Sequence, residues 1–295
     1  MDIFIGIIEQ GLTYSFLALG LYISYIIIDF PDLTIDGSFP LGAAISVTLI
    51  SMGINPLIAM IISLISGMLA GFLTGFIHIK LGVKDLLAGL ISQTALYTIN
   101  LTIAGSANVA IITEDIIFSN NIINKIIPES LSKYRVLIVM IPMVLIVKFL
   151  LDKFLNTQRG FLFKAIGDNP TLVKTMGIDP GIIKIQGIAL ANGLVALSGS
   201  IVAQEQRFFE ISMGTGAMVM GLASLVLGLK FFSRFNKINS TSKVVLGSIL
   251  YKASISLAIA LGFSANSMKL ITAIIFLLIL VIGDRKTFRR KVKNA

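Results

Sequence analysis

The stretch "FKAIGDNPTLVKTMGIDPG", Phe163 to Gly181, is a polar segment between two long apolar runs of the chain. Asp168 or Asn169 can cap the start of a helix, and Pro170 fits the first helical position, where no amide donor is lost. Gly177 can take the left-handed conformation that ends a helix. These signals predict a helix of about two turns. Because so short a helix is not stable alone in water, we expect it to pack against its own protein or a partner.

The side chains of this predicted helix divide into an apolar face and a polar remainder. Leu172, Val173 and Met176 share the apolar face, and Lys174 points elsewhere. Asp179, Pro180 and Gly181 then stop the chain before the next apolar run.

The composition indicates an integral membrane protein. Of the 295 residues, 56% are hydrophobic and 13% are charged, and the mean hydropathy is +0.94, whereas soluble domains carry about 25% charged residues. Apolar runs fill the sequence, so we expect one membrane domain over 1–295, with a polar loop at 152–182. Cysteine is absent and His78 is the only histidine, so a thiol nucleophile, a disulfide framework and a Cys/His metal cluster are excluded.

The apolar runs predict an all-α polytopic fold with about nine membrane helices, since a span needs roughly 20 residues. The predicted spans are Ile8–Ile28, Gly37–Met52, Pro56–Ile79, Leu86–Ala104, Arg135–Leu151, Ile183–Ala203, Gly214–Leu229, Val244–Phe263 and Lys269–Ile282. Lysine and arginine concentrate after the fifth and seventh spans and in the C-terminal tail, which places these segments in the cytoplasm. The net charge of +9 therefore indicates topology rather than nucleic-acid binding.

Two spans begin with helix-breaking residues. These starts are "DFPDLTIDGSFPLGAA", Asp29–Ala44, and "FEISMGTGAMVMGLAS", Phe209–Ser224, and the predicted topology runs the two spans in opposite directions. Breaks at corresponding positions of oppositely oriented halves are typical of inverted-repeat transporters, whose pathway lies between the halves. Two ordinary helix entries with good turn residues are the alternative.

Polar residues at these breaks and inside the spans are candidates for a translocation pathway. Asp36, Gly37 and Gly214 lie at the breaks, and Gln93, Tyr97 and Asn100 fall on one face of the fourth span. Tyr14, Tyr22, Gln186 and Asn192 are further candidates, with less pattern behind them. Lys252, the one cation deep within a span, either lines the pathway or reaches the cytoplasmic interface or backbone carbonyls.

Charges near the ends of spans carry two further expectations. Glu205, Arg207 and Glu210, in the outer segment "QEQRFFEIS", could dock an external protein, although a solvated loop is equally compatible. Glu9 and Asp85 lie at span edges, so we expect no carboxylate deep in the membrane, and this disfavours a proton- or sodium-driven carrier.

Three segments resemble one transporter family. "GFLFKAIGDNPTLVKTMGID" is similar to the cytoplasmic loop of ABC-importer permeases of the branched-chain amino acid and ribose type, with its A-x-G-D-N-P pattern. Ile28–Ala44, and "GSILYKASISLAIALG" with "MKLITAIIFLLIL", resemble the tryptophan/tyrosine-type uptake branch of that family. The resemblance covers essentially the whole chain and keeps the order of its parts.

The resemblance implies a mechanism divided between chains. The short helix would be the coupling helix between spans five and six that seats in an ATPase subunit, through Asp168, Asn169, Pro170, Leu172, Val173, Lys174, Met176 and Gly177. ATP-Mg would bind that partner, because "GLASLVLGLKF" lacks the spacing of a phosphate-binding loop and the chain is not expected to be an enzyme. The expected partners are a second permease copy, an ATPase dimer and an extracytoplasmic substrate-binding protein, in a bacterial plasma (inner) membrane.

The cargo and two other classes of protein stay open at this point. The resemblance implies an amino acid, aromatic or branched-chain, although a nucleoside or vitamin would suit the same architecture. An ion- or proton-coupled carrier is one alternative. A membrane scaffold or intramembrane enzyme is the other, and it is disfavoured because no Ser/His, Cys or paired-Asp constellation is present.

Overall fold

The computed structural model describes residues 2–112, 115–120, 123, 127–235, 237–263, 270–274 and 276–277. The larger helices are α1 (Asp2–Thr13), α2 (Ser15–Leu21, continued by a π-helical turn at Tyr22–Ile27), α3 (Ile35–Ser51), α4 (Pro56–Lys80), α5 (Asp85–Ala104) and α6 (Arg135–Leu155). They are followed by α7 (Gln158–Asp168), α8 (Pro170–Thr175), α9 (Pro180–Gln206), α10 (Ala217–Phe231) and α11 (Ser240–Ala260). A 3₁₀ turn at Glu129–Tyr134 precedes α6, and another at Ile211–Gly214 precedes α10.

In the described part of the chain, seven helices are long and apolar enough to cross a membrane, which confirms a polytopic membrane protein. They are Ile3–Ile27, Pro56–Lys80, Asp85–Ala104, Leu131–Leu155, Pro180–Gln206, Ile211–Phe231 and Ser240–Ala260, and they match the first and the third to eighth predicted spans. The second predicted span is α3, which has only 17 residues. Half of the ninth predicted span lies outside the described residues, so the count of nine stays a prediction.

Helix α9 forms the centre of the molecule. It packs against α4, α3 and α2, and 20 of its 27 residues are buried. Glycines let the backbones approach: a β-carbon on Gly42 of α3 would lie 1.8 Å from the carbonyl oxygen of Ala196, and one on Gly71 of α4 would lie 2.4 Å from that of Ile188. Small residues at helix contacts are the usual means of close packing in membranes. The α3–α4–α9 unit is therefore tightly packed.

A second group of helices lies against this unit. Helix α10 packs on α11 and α2, and α11 also packs on α1. The α10–α11 contact again uses glycines, since a β-carbon on Gly228 would lie 2.1 Å from the carbonyl oxygen of Lys243.

A small antiparallel sheet adds strand to a fold that the sequence predicted as all-α. Strand β1 (Asn108–Ala110) pairs with β2 (Phe208–Glu210), with Val109 opposite Phe209. The chain leaves α9 at Arg207, whose φ of 60° is left-handed, and turns directly into β2. Part of the outer segment, for which docking and a solvated loop were equally compatible expectations, is therefore an ordered strand that pairs with a distant part of the chain.

Candidate functional site

The two predicted helix breaks meet in the structure. Asp36, in the first turn of α3, accepts hydrogen bonds from the backbone amides of Gly216 (3.2 Å) and Met218 (2.8 Å). These amides belong to the start of α10, where Gly216 has a φ of 84°. A carboxylate at a helix N-terminus satisfies free amides and the positive end of the helix dipole. Asp36 thus joins the starts of two helices that lie about 180 residues apart.

Several predicted pathway residues surround this junction. A β-carbon on Gly214 would lie 2.0 Å from the carbonyl oxygen of Asp36. The Asn100 amide donates to the carbonyl of Gly37 at 3.0 Å, and a β-carbon on Gly37 would lie 3.1 Å from the Cα of Gln93. The structure therefore brings the backbone of Gln93 and the residues Asp36, Gly37, Asn100 and Gly214 close together; their role in a pathway stays a prediction. Asn100 is fully buried, and its Oδ1 has no hydrogen-bond partner among the described residues.

Tyr97 does not join the junction. Its side chain is 53% exposed on the outer surface of α5, because the register that turns Asn100 toward α3 turns Tyr97 away from it. Of the predicted polar stripe, Gln93 and Asn100 face the protein interior.

Asn192 belongs to a separate buried polar network. Its amide donates to the Asp32 carboxylate at 2.5 Å, and its Oδ1 accepts from Ser38 at 2.7 Å. The other oxygen of Asp32 accepts from the Thr34 amide at 2.9 Å, and the Thr34 hydroxyl bonds that of Thr74 at 2.8 Å. The network joins α3, α4 and α9.

Asp32 is a carboxylate buried inside the protein, which the sequence analysis did not anticipate. The residue is 1% exposed and lies in the turn before α3. The sequence placed it at the mouth of a span, where water would have reached it, but the packing of α4 and α9 over the turn encloses it. Its hydrogen bonds supply the partners that a buried carboxylate requires.

Lys252, near the middle of α11, lies over an aromatic ring. Its Nζ is 3.6 Å from the ring centroid of Tyr14, at the break between α1 and α2. The Tyr14 ring is stacked with that of Phe39, with 5.9 Å between centroids. Among the described residues, no hydrogen bond from the ammonium to a backbone carbonyl is found. The sequence analysis did not connect Tyr14 or Phe39 with Lys252, because only the fold brings these residues together.

The three predicted docking residues separate into two environments. Arg207 and Glu210 are exposed at the two ends of β2. Glu205 is half-buried in the last turn of α9, beside the Thr13 hydroxyl and within electrostatic range of Lys252. The added helical turn at the end of α9 carries Glu205 inward from the outer segment where the sequence placed it.

The helix predicted from the GDNP stretch is present as α8. Asn169 caps it, with Oδ1 accepting from the amides of Thr171 (3.0 Å) and Leu172 (3.3 Å), and Pro170 occupies its first position. Gly177 follows with a φ of 75°. Asp168 has no capping role because it ends α7, a helix that the sequence analysis did not predict. Thr157, whose hydroxyl accepts from the Gly160 amide at 3.3 Å, was the missed start signal for α7.

The predicted apolar face of α8 is divided between interior and surface. Val173 is fully buried in the chain's own core, while Leu172 is 52% and Met176 is 61% exposed. Val173 therefore fixes α8 to its own protein, and Leu172 with Met176 forms the free apolar surface. Lys174 is also exposed.

Helix α7 mounts α8 on the membrane helices. The Phe163 ring packs edge-on against Phe154 of α6, with centroids 5.2 Å apart, and Arg159 donates to Gln186 of α9 at 3.2 Å. The surface formed by Leu172 and Met176 is thus rigidly connected to α6 and α9.

A family model for the permease component of branched-chain amino acid transport systems matches residues 3–282. The chain belongs to this family. The permease is 38% identical to the "Tyrosine transport system permease protein" of Clostridioides difficile (strain R20291), over 95% of its own length and 91% of that protein. It is 29% identical to the uncharacterised protein RP368 of Rickettsia prowazekii (strain Madrid E), over 93% and 95% of the two chains. No solved structure matches the permease.

Proposed function

We propose that this permease is the transmembrane subunit of an ATP-driven ABC importer for an amino acid, of aromatic or branched-chain type. The observation that carries the proposal is α8, a capped helix with two exposed apolar side chains that is mounted on the membrane helices through α7. Exposed apolar anchors on a short helix suit a groove in a partner protein. Family membership supports the same conclusion.

In this proposal a separate ATPase dimer binds ATP-Mg and closes. Its closure displaces two copies of α8, one from each permease of a homodimer, since this chain carries one such helix in its described part. Helix α7 passes the displacement to α6 and α9, and α9 packs on α3, which starts at the Asp36 junction. The ATPase binds ATP more tightly when closed, and this difference supplies the free energy that shifts the permease between outward- and inward-facing states.

A substrate-binding protein would deliver the cargo on the extracytoplasmic side of a bacterial plasma membrane. Arg207 and Glu210 are exposed beside β2 and could guide its docking through complementary charges. The amino acid class rests on the family description and on the printed name of the Clostridioides difficile relative. If uptake measurements showed a nucleoside or a vitamin as the cargo, the proposed cargo class would be wrong, but the proposed mechanism would not change.

The test is recovery of the ATPase with the permease from detergent-solubilised native membranes. Leu172→Asp and Met176→Asp each place a charge on the exposed apolar surface of α8. Burying such an anchor contributes about 2 kcal/mol, so each variant is expected to weaken ATPase recovery by about 30-fold. Thr171→Asp is the matched control, because Thr171 is exposed on the same helix and an acid in the first turn favours the helix.

The outcomes separate the candidate functions. Recovery of the ATPase with wild type and Thr171→Asp, but not with the two surface variants, supports the importer. If the ATPase is recovered neither with wild type nor with any variant, and uptake follows an ion gradient without needing ATP, the ion-coupled carrier is favoured. Asp32, a buried carboxylate, would then be the first residue to examine.

A further inference from the structure

An open apolar groove lies between the helices α1, α10 and α11. Its volume is about 530 Å³, within the range of about 300–1,000 Å³ that is usual for small-molecule sites. Side chains of all three helices line it, chiefly Phe4, Ile7, Leu227, Phe231, Leu250 and Leu257. Phe4 is 73% exposed, Phe231 67% and Leu257 62%. The groove therefore opens outward from helices that are long and apolar enough to cross a membrane.

An aromatic and basic turn borders the groove where α10 ends. This turn joins α10 to α11 and has the sequence "KFFSRFNK", Lys230–Lys237. Phe231, which lines the groove, packs edge-on against Phe232 with ring centroids 5.2 Å apart, and the rings of Phe232 and Phe235 are 6.1 Å apart. Phe235 is 56% exposed. Exposed apolar clusters of this kind mark contacts with membranes or other molecules, and this cluster is continuous with the groove.

The positive charges of the turn have no partner of opposite charge in the described part of the chain. Its exposed basic residues are Lys230, Arg234 and Lys237, and within the described ranges none of them forms an ion pair closer than 4.0 Å. The sequence has no aspartate or glutamate between Glu210 and Asp284. The turn therefore carries charge that an anionic group from outside the chain can neutralise.

We propose that the groove binds an acyl chain of an anionic phospholipid whose phosphate lies against Lys230 and Arg234. These two residues flank Phe231, which belongs to both the groove and the turn. Basic residues beside the ends of membrane helices attract anionic head groups, and the apolar lining of the groove suits the hydrocarbon chain. The lipid site goes beyond the proposed importer function and does not depend on it.

Charge decides between a lipid and a second copy of the chain as the occupant of the groove. Two copies in one membrane have the same orientation, so a symmetric interface across this groove would bring two basic turns to the same membrane surface. Like charges would then repel without an acid in the turn to compensate. The C-terminal stretch 284–295 is disfavoured for the same reason, because it contains six lysines and arginines and one acid.

The test measures lipid binding to the full chain purified in detergent. The probes are dioleoylphosphatidylglycerol and dioleoylphosphatidylcholine, which have the same acyl chains, and only the first has a net negative charge. Native mass spectrometry across a lipid titration gives the number of bound lipids and their affinities. Each basic residue near an anionic group contributes a factor of about five in affinity. Wild type should therefore bind one phosphatidylglycerol about 30-fold more tightly than phosphatidylcholine.

Variants separate the head-group contact from the acyl-chain contact. The double variant Lys230→Gln and Arg234→Gln should bind both lipids with equal affinity, because the charges are lost while the groove is intact. Ala253→Phe places a ring in the groove and should weaken both lipids by about tenfold, the effect of losing contact with one or two methylene groups, without changing their ratio. Leu257→Gln, at an exposed groove position that tolerates a polar residue in folding, should give the same result.

Two matched controls lie outside the proposed site. Lys80→Gln changes an exposed lysine at the end of α4, and Ile259→Phe adds a ring on the exposed face of α11 that does not line the groove. Both should leave the two lipid affinities unchanged.

Three results would overturn the inference. Equal wild-type affinities for the two lipids would show that the turn does not select an anionic head group. A Lys80→Gln effect as large as that of the double variant would show diffuse binding to any basic surface. Unchanged lipid affinity in Ala253→Phe and Leu257→Gln, with loss of a dimer peak in the same mass spectra, would make the groove an interface between copies.

Discussion

Replacement of Asp36 by alanine should destabilise the permease far more than replacement of an ordinary helix-start acid. The variant leaves the Gly216 and Met218 amides at the start of α10 without their partner. Loss of a capping side chain costs about 1–2 kcal/mol, and loss of the carboxylate at the positive end of the helix dipole adds about 0.3–1 kcal/mol. We therefore expect Asp36→Ala to lower the free energy of unfolding by about 1.3–3 kcal/mol.

Asp36→Asn should lower the free energy of unfolding by about half as much as Asp36→Ala. The amide oxygen of asparagine can accept one of the two hydrogen bonds, but the negative charge is lost. The assay is unfolding of the purified chain in mixed micelles, followed by circular dichroism as the denaturing detergent is titrated. Asp85→Ala is the control. Asp85 lies in the first turn of α5, and its carboxylate accepts from the adjacent Leu86 amide at 2.8 Å, so among the described residues its loss removes no hydrogen bond to a second helix. If Asp36→Ala and Asp85→Ala had equal effects, the two helix starts would not be held together by this carboxylate.

Two further predictions concern the packing that surrounds the junction. Gly42→Ala should lower the free energy of unfolding by about 1–3 kcal/mol, because the new β-carbon would lie 1.8 Å from the Ala196 carbonyl oxygen. Gly6→Ala, whose β-carbon would have no atom within 4 Å, should raise the free energy of unfolding by up to about 1 kcal/mol. Thermal unfolding measures both, and a shift of the same sign would contradict the packing argument. Asn192→Leu should lower the free energy of unfolding by about 3 kcal/mol, because the buried Asp32 carboxylate loses the Asn192 amide that donates to it at 2.5 Å. An unchanged midpoint of unfolding in the denaturing-detergent titration would refute this.

Features that depend on neighbouring residues were predictable from the sequence. Helix α8 is defined by three signals that lie within a few residues of one another: the cap at Asn169, the proline at the first helical position and the left-handed Gly177. The structure confirms each of them. The positions of the long apolar helices followed from runs of apolar residues for the same reason. The start of α7 at Thr157 was missed because its residues lack the apolar periodicity of an independent helix, and packing of Phe163 and Ile166 against the core stabilises it.

Features that depend on distant residues were only partly predictable. The sequence marked both helix breaks but gave no sign that Asp36 would cap α10 across the junction. Glu205 and Lys252 were assigned to different parts of the molecule, one to the outer surface and the other to a span. The positions of these residues depend on how far α9 continues and on how α11 packs against the rest of the chain, and both are decided by tertiary packing.

Helix α9 connects the α7–α8 segment to the opposite end of the molecule. Its first half bears Gln186, which accepts from Arg159 of the α7 mount, and its last turn bears Glu205. With 27 residues it is about 40 Å long, and its close contacts with α3 and α4 leave little room for bending. Lys252 lies on α11, whose start is bonded to α6 through Thr241 and Asp152 at 2.5 Å. A displacement of α8 that moves α9 relative to α11 would therefore reach the outer end of α9, where Glu205 lies.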